Sequence, residues 1–165
     1  MVCCFPTMSR AKVYLETTVI SYLAARPSRD LLVAAHQQIT SDWWEHNRLD
    51  FDLFVSQLVV EEASAGDSDA AIRRLKLIEA IDLIGLTEAS LALAEKLLAN
   101  GAVPADSGED ALHVAIAAVN GMDYVLTWNC RHIANVARRS HIEATCLEAG
   151  YAAPIICTPE ELLEV

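Results

Sequence analysis

The chain has 165 residues, 53% of them apolar and 21% charged, which is ample material for one folded core and excludes a disordered polymer. Its 23 acidic side chains outnumber 12 basic ones for a net charge of −11, a sign that excludes gripping nucleic acid by broad neutralisation of phosphates. Carboxylates that hold a metal ion fit that balance, because the ion then carries positive charge to a phosphate; an ordinary solvated acidic surface fits it as well.

Hydropathy switches repeatedly between strand-like and helix-like periods. Lys12 to Leu15 reads as a strand, and Thr17 or Thr18 is placed to cap a helix through Leu23. Leu31 to His46 is expected to be helical, with Leu32, Ala35, Ile39 and Trp43 at helical spacing. Phe51 to Val55 is a second strand, and Ser56 caps the next helix, which stops near Ala65-Gly66-Asp67. Ala70 to Ala80 reads as an amphipathic helix with Ile72, Leu75 and Ile78 inward, followed by a strand over Asp82 to Leu86. Thr87 opens a helix that ends at Asn100-Gly101, with the glycine just past its last turn. After a loop over 102–107, Ser107 begins a helix running to about Asn120. Tyr124 to Thr127 is a buried-type strand, Arg131 to Arg139 and Ile142 to Glu148 are two helices, and Ile155 to Cys157 is the last strand. Thr158-Pro159-Glu160-Glu161 carries capping-box spacing and a proline suited to a first helical position.

Strands alternating with helices imply βαβ units, hence a three-layer α/β/α fold around a mostly parallel sheet of four to five strands. One domain over 1–165 is expected, with 1–11 as an N-terminal extension. The cysteines Cys3, Cys4, Cys130, Cys146 and Cys157 are odd in number and form no CxxC, so reduced thiols of a cytoplasmic protein are expected rather than disulfides or a zinc site. The opening MVCCFPTMSR has no long apolar stretch of a secretory signal, and no apolar run reaches the roughly 18–20 residues of a membrane span.

In a parallel sheet the ligand site lies beyond the carboxyl ends of the strands, so the residues just after each strand are the candidates. Glu16 ends the first strand, where a carboxylate reaches the rim, although a solvated strand end is the ordinary fate of such an acid. Glu62 lies four residues beyond Leu58 and three beyond Val59 and shares a helix face with them, whereas Glu61 faces the side of Gln57. Asp110 sits inside an apolar helix, Asp110-Ala111-Leu112-His113-Val114-Ala115-Ile116-Ala117. Its spacing from Ser107 also suits a capping box, so the two readings stand level. His113, one turn on, orients a carboxylate, meets a phosphate or simply fills the core. Asn129, in Leu126-Thr127-Trp128-Asn129-Cys130-Arg131-His132, offers a neutral oxygen to a metal or marks a turn. Oxygen ligands with few nitrogen or sulfur partners suit Mg²⁺ or Mn²⁺.

These segments resemble the PIN-domain proteins of the VapC type, the toxins of type II toxin–antitoxin systems. YLETTVISYL resembles the family's opening motif, SQLVVEEAS its second, DALHVAIAA its third and YVLTWNCRHIAN its fourth, over about residues 12–162. The resemblance implies a metal-dependent endoribonuclease that hydrolyses RNA phosphodiester bonds with a water acidified by Mg²⁺ or Mn²⁺. It places the metal-binding acids at Glu16, Glu62 and Asp110, and a fourth site position at Asn129. It gives Thr17 a supporting place around the metal and leaves His113, Arg131 and His132 as residues of the outer shell or substrate. Arg26, Arg29, Arg138 and Arg139 are further phosphate candidates, and Trp128 a base-stacking one. A cognate antitoxin, an RNA substrate, a homodimer and no membrane association follow from the same resemblance. Two departures are expected to weaken metal affinity: Glu16 is a methylene longer than the family's usual Asp, and Asn129 removes a negative charge. A degenerate PIN domain that binds RNA or protein without cleaving is the alternative. A phosphotransfer receiver domain is set aside, because one acid rather than two ends the first strand and no lysine follows Lys96.

Overall fold

The computed structural model describes residues 9–163. Cys3, Cys4 and most of the expected N-terminal extension lie outside them. Among the described residues five strands and seven α-helices alternate. They begin with β1 (Ala11–Leu15), α1 (Thr17–Ala24), α2 (Leu31–His46), β2 (Phe51–Ser56), α3 (Gln57–Ser64) and α4 (Ser68–Ile78). β3 (Asp82–Ile84), α5 (Glu88–Ala99), α6 (Gly108–Val119), β4 (Tyr124–Leu126), α7 (Val136–Glu148) and β5 (Ile155–Cys157) complete them, with short 3-10 turns at Arg48–Asp50 and Pro159–Leu162.

All strand pairings are parallel, in the order β3-β2-β1-β4-β5. The central strand β1 is covered on both faces, and Val13, Tyr14 and Leu15 are all fully buried. Helices α2, α3 and α4 pack around α1, while α6 and α7 pack around α5, which gives the three layers. Trp43, Leu15, Ile20, Leu93, Ile116 and Leu126 are among the largest fully buried side chains. The order matters for function because β1, β2 and β3 progress one way across the sheet and β4 and β5 the other. The chain therefore reverses between β1 and β4, and a crevice opens at their carboxyl ends.

Several helix starts follow the sequence directly. Ser56 accepts a hydrogen bond from Val59 N–H at 3.4 Å, Thr87 accepts one from Ser90 N–H at 3.2 Å, and Glu161 accepts one from Thr158 N–H at 2.8 Å. Gly101 has a φ of +70° after α5, a left-handed conformation that favours glycine.

Other expectations are corrected. Glu16, rather than Thr17 or Thr18, caps α1, its carboxylate accepting from Thr18 N–H at 3.2 Å. Ile72 is 64% exposed, and the inward face of α4 runs through Ala71, Leu75 and Ile78, an i, i+4, i+7 stripe that leaves Ile72 outside. The two helices expected over 131–148 are a single α7 capped by Asn135, and the segment before it is a turn in which Ile133 and Ala134 N–H both donate to Asn129 O. β1 begins at Ala11, one residue before the strand expected from Lys12. Among the described residues no helix is long and apolar enough to cross a membrane.

Candidate active site

The pairing of β1 with β4 extends one residue past the strands, through Glu16 N–H donating to Leu126 O at 3.0 Å. That bond holds Glu16 at the switch point, 5% exposed. Its Oε2 is tied down by the Thr18 N–H, the Thr18 hydroxyl and the Thr127 hydroxyl, the last at 2.7 Å. Its Oε1 makes no hydrogen bond among the described residues and lies 3.9 Å from His113 Nε2.

Glu62 arrives from α3, whose start is set by the Ser56 cap at the end of β2. Its Oε2 accepts from the Thr17 hydroxyl and lies 3.0 Å from His113 Nε2, and its Oε1 makes no hydrogen bond among the described residues. Glu61 stays exposed beside Gln57. Donor atoms of Glu16, Glu62 and His113 all lie within 4.8 Å of one another. His113 is 1% exposed, and its Nδ1 lies 2.7 Å from the Tyr14 hydroxyl, itself 2.8 Å from the Ser56 hydroxyl.

Asp110 joins this group indirectly. Its Oδ1 accepts from Asn129 Nδ2 at 2.8 Å, and Asn129 N–H donates to Thr127 Oγ1 at 2.9 Å, the hydroxyl that in turn donates to Glu16. Asp110 Oδ2 lies 2.7 Å from His132 Nδ1, which is also 3.2 Å from Ser107 Oγ. Ser107 makes no side-chain cap of α6, so the capping-box reading of Asp110 does not hold. Asn129 uses both ends of its amide, since Oδ1 accepts from His132 N–H at 3.1 Å. Arg131 is exposed and its side chain has no bonded partner among the described residues.

The electrostatics follow the contacts. Burial acts to raise the Glu62 pKa, but the hydrogen bond and charge of His113 and the Thr17 hydroxyl outweigh it, and the carboxyl ends below its ordinary range. Burial likewise acts to lower the His113 pKa, yet the bond to Glu62 and the charges of Glu16, Glu62 and Asp110 leave it raised. Burial keeps the Tyr14 hydroxyl protonated, pushing its pKa far up, with Glu16 and Glu62 adding to the effect. One imidazole thus faces two close carboxylates, and each of those carboxylates keeps one oxygen without a hydrogen bond among the described residues. That donor set fits a small divalent cation.

Thr18, Thr127 and Tyr14 hold the site together, and the sequence reasoning missed them as site residues. Thr127 and Thr18 were visible as hydroxyls flanking the strand ends; Tyr14, inside an apolar strand, gave no signal. Trp128 is not free to stack on a base: it is 9% exposed, donates from Nε1 to Thr40 Oγ1 at 2.7 Å and stacks on His36 at 4.1 Å. Among the arginines, Arg139 pairs with Glu161 at 3.6 Å and Arg138 donates to Gly101 O at 3.4 Å, while Arg26 and Arg29 are exposed.

No protein-family model matches the chain, and no curated protein matches it in sequence. Among solved structures, the chain is similar to one from the crystal structure of VapBC2 from Rickettsia felis bound to a DNA fragment from their promoter. The two are 12% identical, with a TM-score of 0.57 over 89% of this chain and 98% of that one. What the two share is the fold, three α/β/α layers around a parallel five-stranded sheet. On this fold Glu62 and His113 form one hydrogen-bonded group and Glu16, Thr127, Asn129 and Asp110 another, and the two meet where His113 Nε2 lies 3.9 Å from Glu16 Oε1.

Proposed function

We propose that the chain is a metal-dependent endoribonuclease of the VapC type, with Glu16, Glu62 and Asp110 as the residues that would hold Mg²⁺ or Mn²⁺. The observation that carries this reading is the gathering of Glu16, Glu62 and His113 donor atoms within 4.8 Å at the switch point, with a free oxygen on each glutamate. The ion, when bound, supplies positive charge at a phosphate and lowers the pKa of its water. The protein's own residues do the arranging. Thr18 and Thr127 hold Glu16 by one oxygen so that the other faces the site. Thr17 and His113 do the same for Glu62, and Asn129 and His132 orient Asp110. Arg131, exposed next to this cluster, is assigned to a substrate phosphate.

The test is incubation of the protein with structured and unstructured RNA in Mn²⁺, beside an Asp110→Ala variant checked for folding. Cleavage by the wild type alone supports the assignment, and equal cleavage by both ends it. The likeness to a VapBC2 chain supports a protein antitoxin as partner, and we infer a cytoplasmic homodimer, which sedimentation of the purified protein would detect.

One observation favours a second reading, a PIN fold that binds RNA or protein without cleaving. Asn129 spends its Nδ2 on Asp110 and its Oδ1 on His132, so the fourth position contributes no free oxygen. Calorimetry that finds single-site Mn²⁺ binding, abolished in Asp110→Ala, counts against this second reading.

A further inference from the structure

Four elements contribute to a buried line of polar groups behind Glu62: Ser56 ending β2, Tyr14 in β1, His113 in α6 and Glu62 in α3. Ser56 and Tyr14 are fully buried and His113 nearly so, which is a costly place for hydroxyls and an imidazole unless every proton finds an acceptor. The contacts are Val59 N to Ser56 Oγ at 3.4 Å, Ser56 Oγ to Tyr14 Oη at 2.8 Å, Tyr14 Oη to His113 Nδ1 at 2.7 Å and His113 Nε2 to Glu62 Oε2 at 3.0 Å.

The protons can be counted along it. Ser56 Oγ accepts from Val59 N–H, and the acceptor within reach for its own proton is Tyr14 Oη. The Tyr14 proton is then directed at His113 Nδ1, which must offer a lone pair. The ring proton of a neutral imidazole therefore sits on Nε2 and points at Glu62. Doubly protonated, the ring reverses the hydroxyls and takes the Tyr14 acceptor from the Ser56 proton, but it still carries a proton on Nε2 toward Glu62. The remaining tautomer, with a bare Nε2, leaves the Ser56 proton without an acceptor and sets a lone pair against a carboxylate oxygen 3.0 Å away. That distance alone would also suit two cis ligands of one ion, so hydrogen placement is what decides between the roles.

We propose that Tyr14 is a positioning residue that keeps His113 Nε2 protonated toward Glu62, holding the imidazole out of the metal's coordination and leaving the site an all-oxygen one selective for Mg²⁺ and Mn²⁺ over softer ions such as Zn²⁺. The inference rests on the metal-binding reading above. Hard oxygen sites favour Mg²⁺ and Mn²⁺, whereas an imidazole donor draws the site toward Zn²⁺ and later first-row metals. Tyr14→Phe keeps the ring and removes the hydroxyl, so the Glu62 carboxylate alone is left to favour a proton on Nε2, and an incoming soft ion takes Nε2 more readily.

Two measurements test this. Long-range ¹H–¹⁵N correlation on the metal-free, histidine-labelled protein reads the His113 tautomer: a protonated Nε2 is expected, and a bare Nε2 overturns the proposal. Pulsed EPR and competition calorimetry with Mn²⁺, Mg²⁺ and Zn²⁺ read the donor set. Wild-type protein is expected to show no imidazole ¹⁴N coupling to Mn²⁺. Tyr14→Phe is expected to raise the Zn²⁺-over-Mg²⁺ preference roughly fivefold to tenfold, the worth of one buried hydrogen bond. Thr87→Ala, which loses the cap of α5 away from this line, serves as the stability control and keeps the wild-type preference. Imidazole coupling in the wild type, or an unchanged preference in Tyr14→Phe, overturns the proposal. A wild-type protein that binds none of the three ions overturns the metal reading itself, while the tautomer result still decides the role of Tyr14.

Discussion

Thr127→Val removes one hydroxyl and almost no volume, at a position with no solvent exposure. That hydroxyl donates to Glu16 Oε2 at 2.7 Å and accepts from Asn129 N–H at 2.9 Å, so its loss breaks a bond to a buried carboxylate and strands a backbone donor. A hydrogen bond to a charged group contributes about 1.5–3 kcal/mol and an unpaired donor costs about 1 kcal/mol more, so the metal-free protein is expected to lose roughly 3 kcal/mol. For a domain of this size that is a fall in melting temperature of roughly 6–12 °C. Thr127→Ser keeps both bonds and loses one methyl group, worth about 1 kcal/mol, and so separates the hydroxyl from the packing. The assay is calorimetric unfolding in EDTA at neutral pH. In a Glu16→Gln background the Thr127→Val penalty is expected to shrink, because the partner no longer carries a charge, giving a coupling energy above about 0.5 kcal/mol. A Thr127→Val melting point within about 2 °C of Thr127→Ser, or strict additivity with Glu16→Gln, would refute the claim that this bond holds the glutamate in place.

Two further outcomes follow from the same contacts. The His113–Glu62 pair makes metal-free stability pH-dependent in both directions. His113 is raised above its ordinary 6.5, so its contribution is full below that value and is lost as pH rises through the higher folded pKa. Glu62 is lowered from 4.5, so its contribution is present above that value and lost as pH falls through the folded pKa. Melting curves in EDTA are expected to decline on the alkaline side for the wild type but not for His113→Gln, and identical profiles would contradict the pairing. Asn129→Asp replaces the amide donor 2.8 Å from Asp110 Oδ1 with a second carboxylate, so it is expected to melt several degrees lower in EDTA and to gain more than the wild type from added Mn²⁺. Equal Mn²⁺ shifts in the two proteins would show that position 129 lies away from the ion.

Much of the frame was legible because it depends on local patterns. The strands at Lys12–Leu15, Phe51–Val55 and Ile155–Cys157 are short β-branched or aromatic runs, and the caps at Ser56, Thr87 and Thr158 act within three residues of themselves. Placing candidate residues just after strands followed from parallel topology alone. Errors arose where two local rules competed. Glu16 took the cap from the threonines beside it, and the break expected between Arg139 and Ile142 falls inside a helix that runs unbroken from Val136 to Glu148.

What the amino-acid order determined by itself was the alternation of strands and helices and the acids that stand at their ends, since both rest on interactions between near neighbours. Which oxygen of Glu16 stays free, that Asp110 answers to Asn129 and His132 rather than to Ser107, and that Tyr14 lies behind His113 were decided only in three dimensions. Those contacts span 19 to 111 residues of sequence, and no periodicity encodes which hydroxyl will meet which carboxylate once β1 and β4 lie side by side.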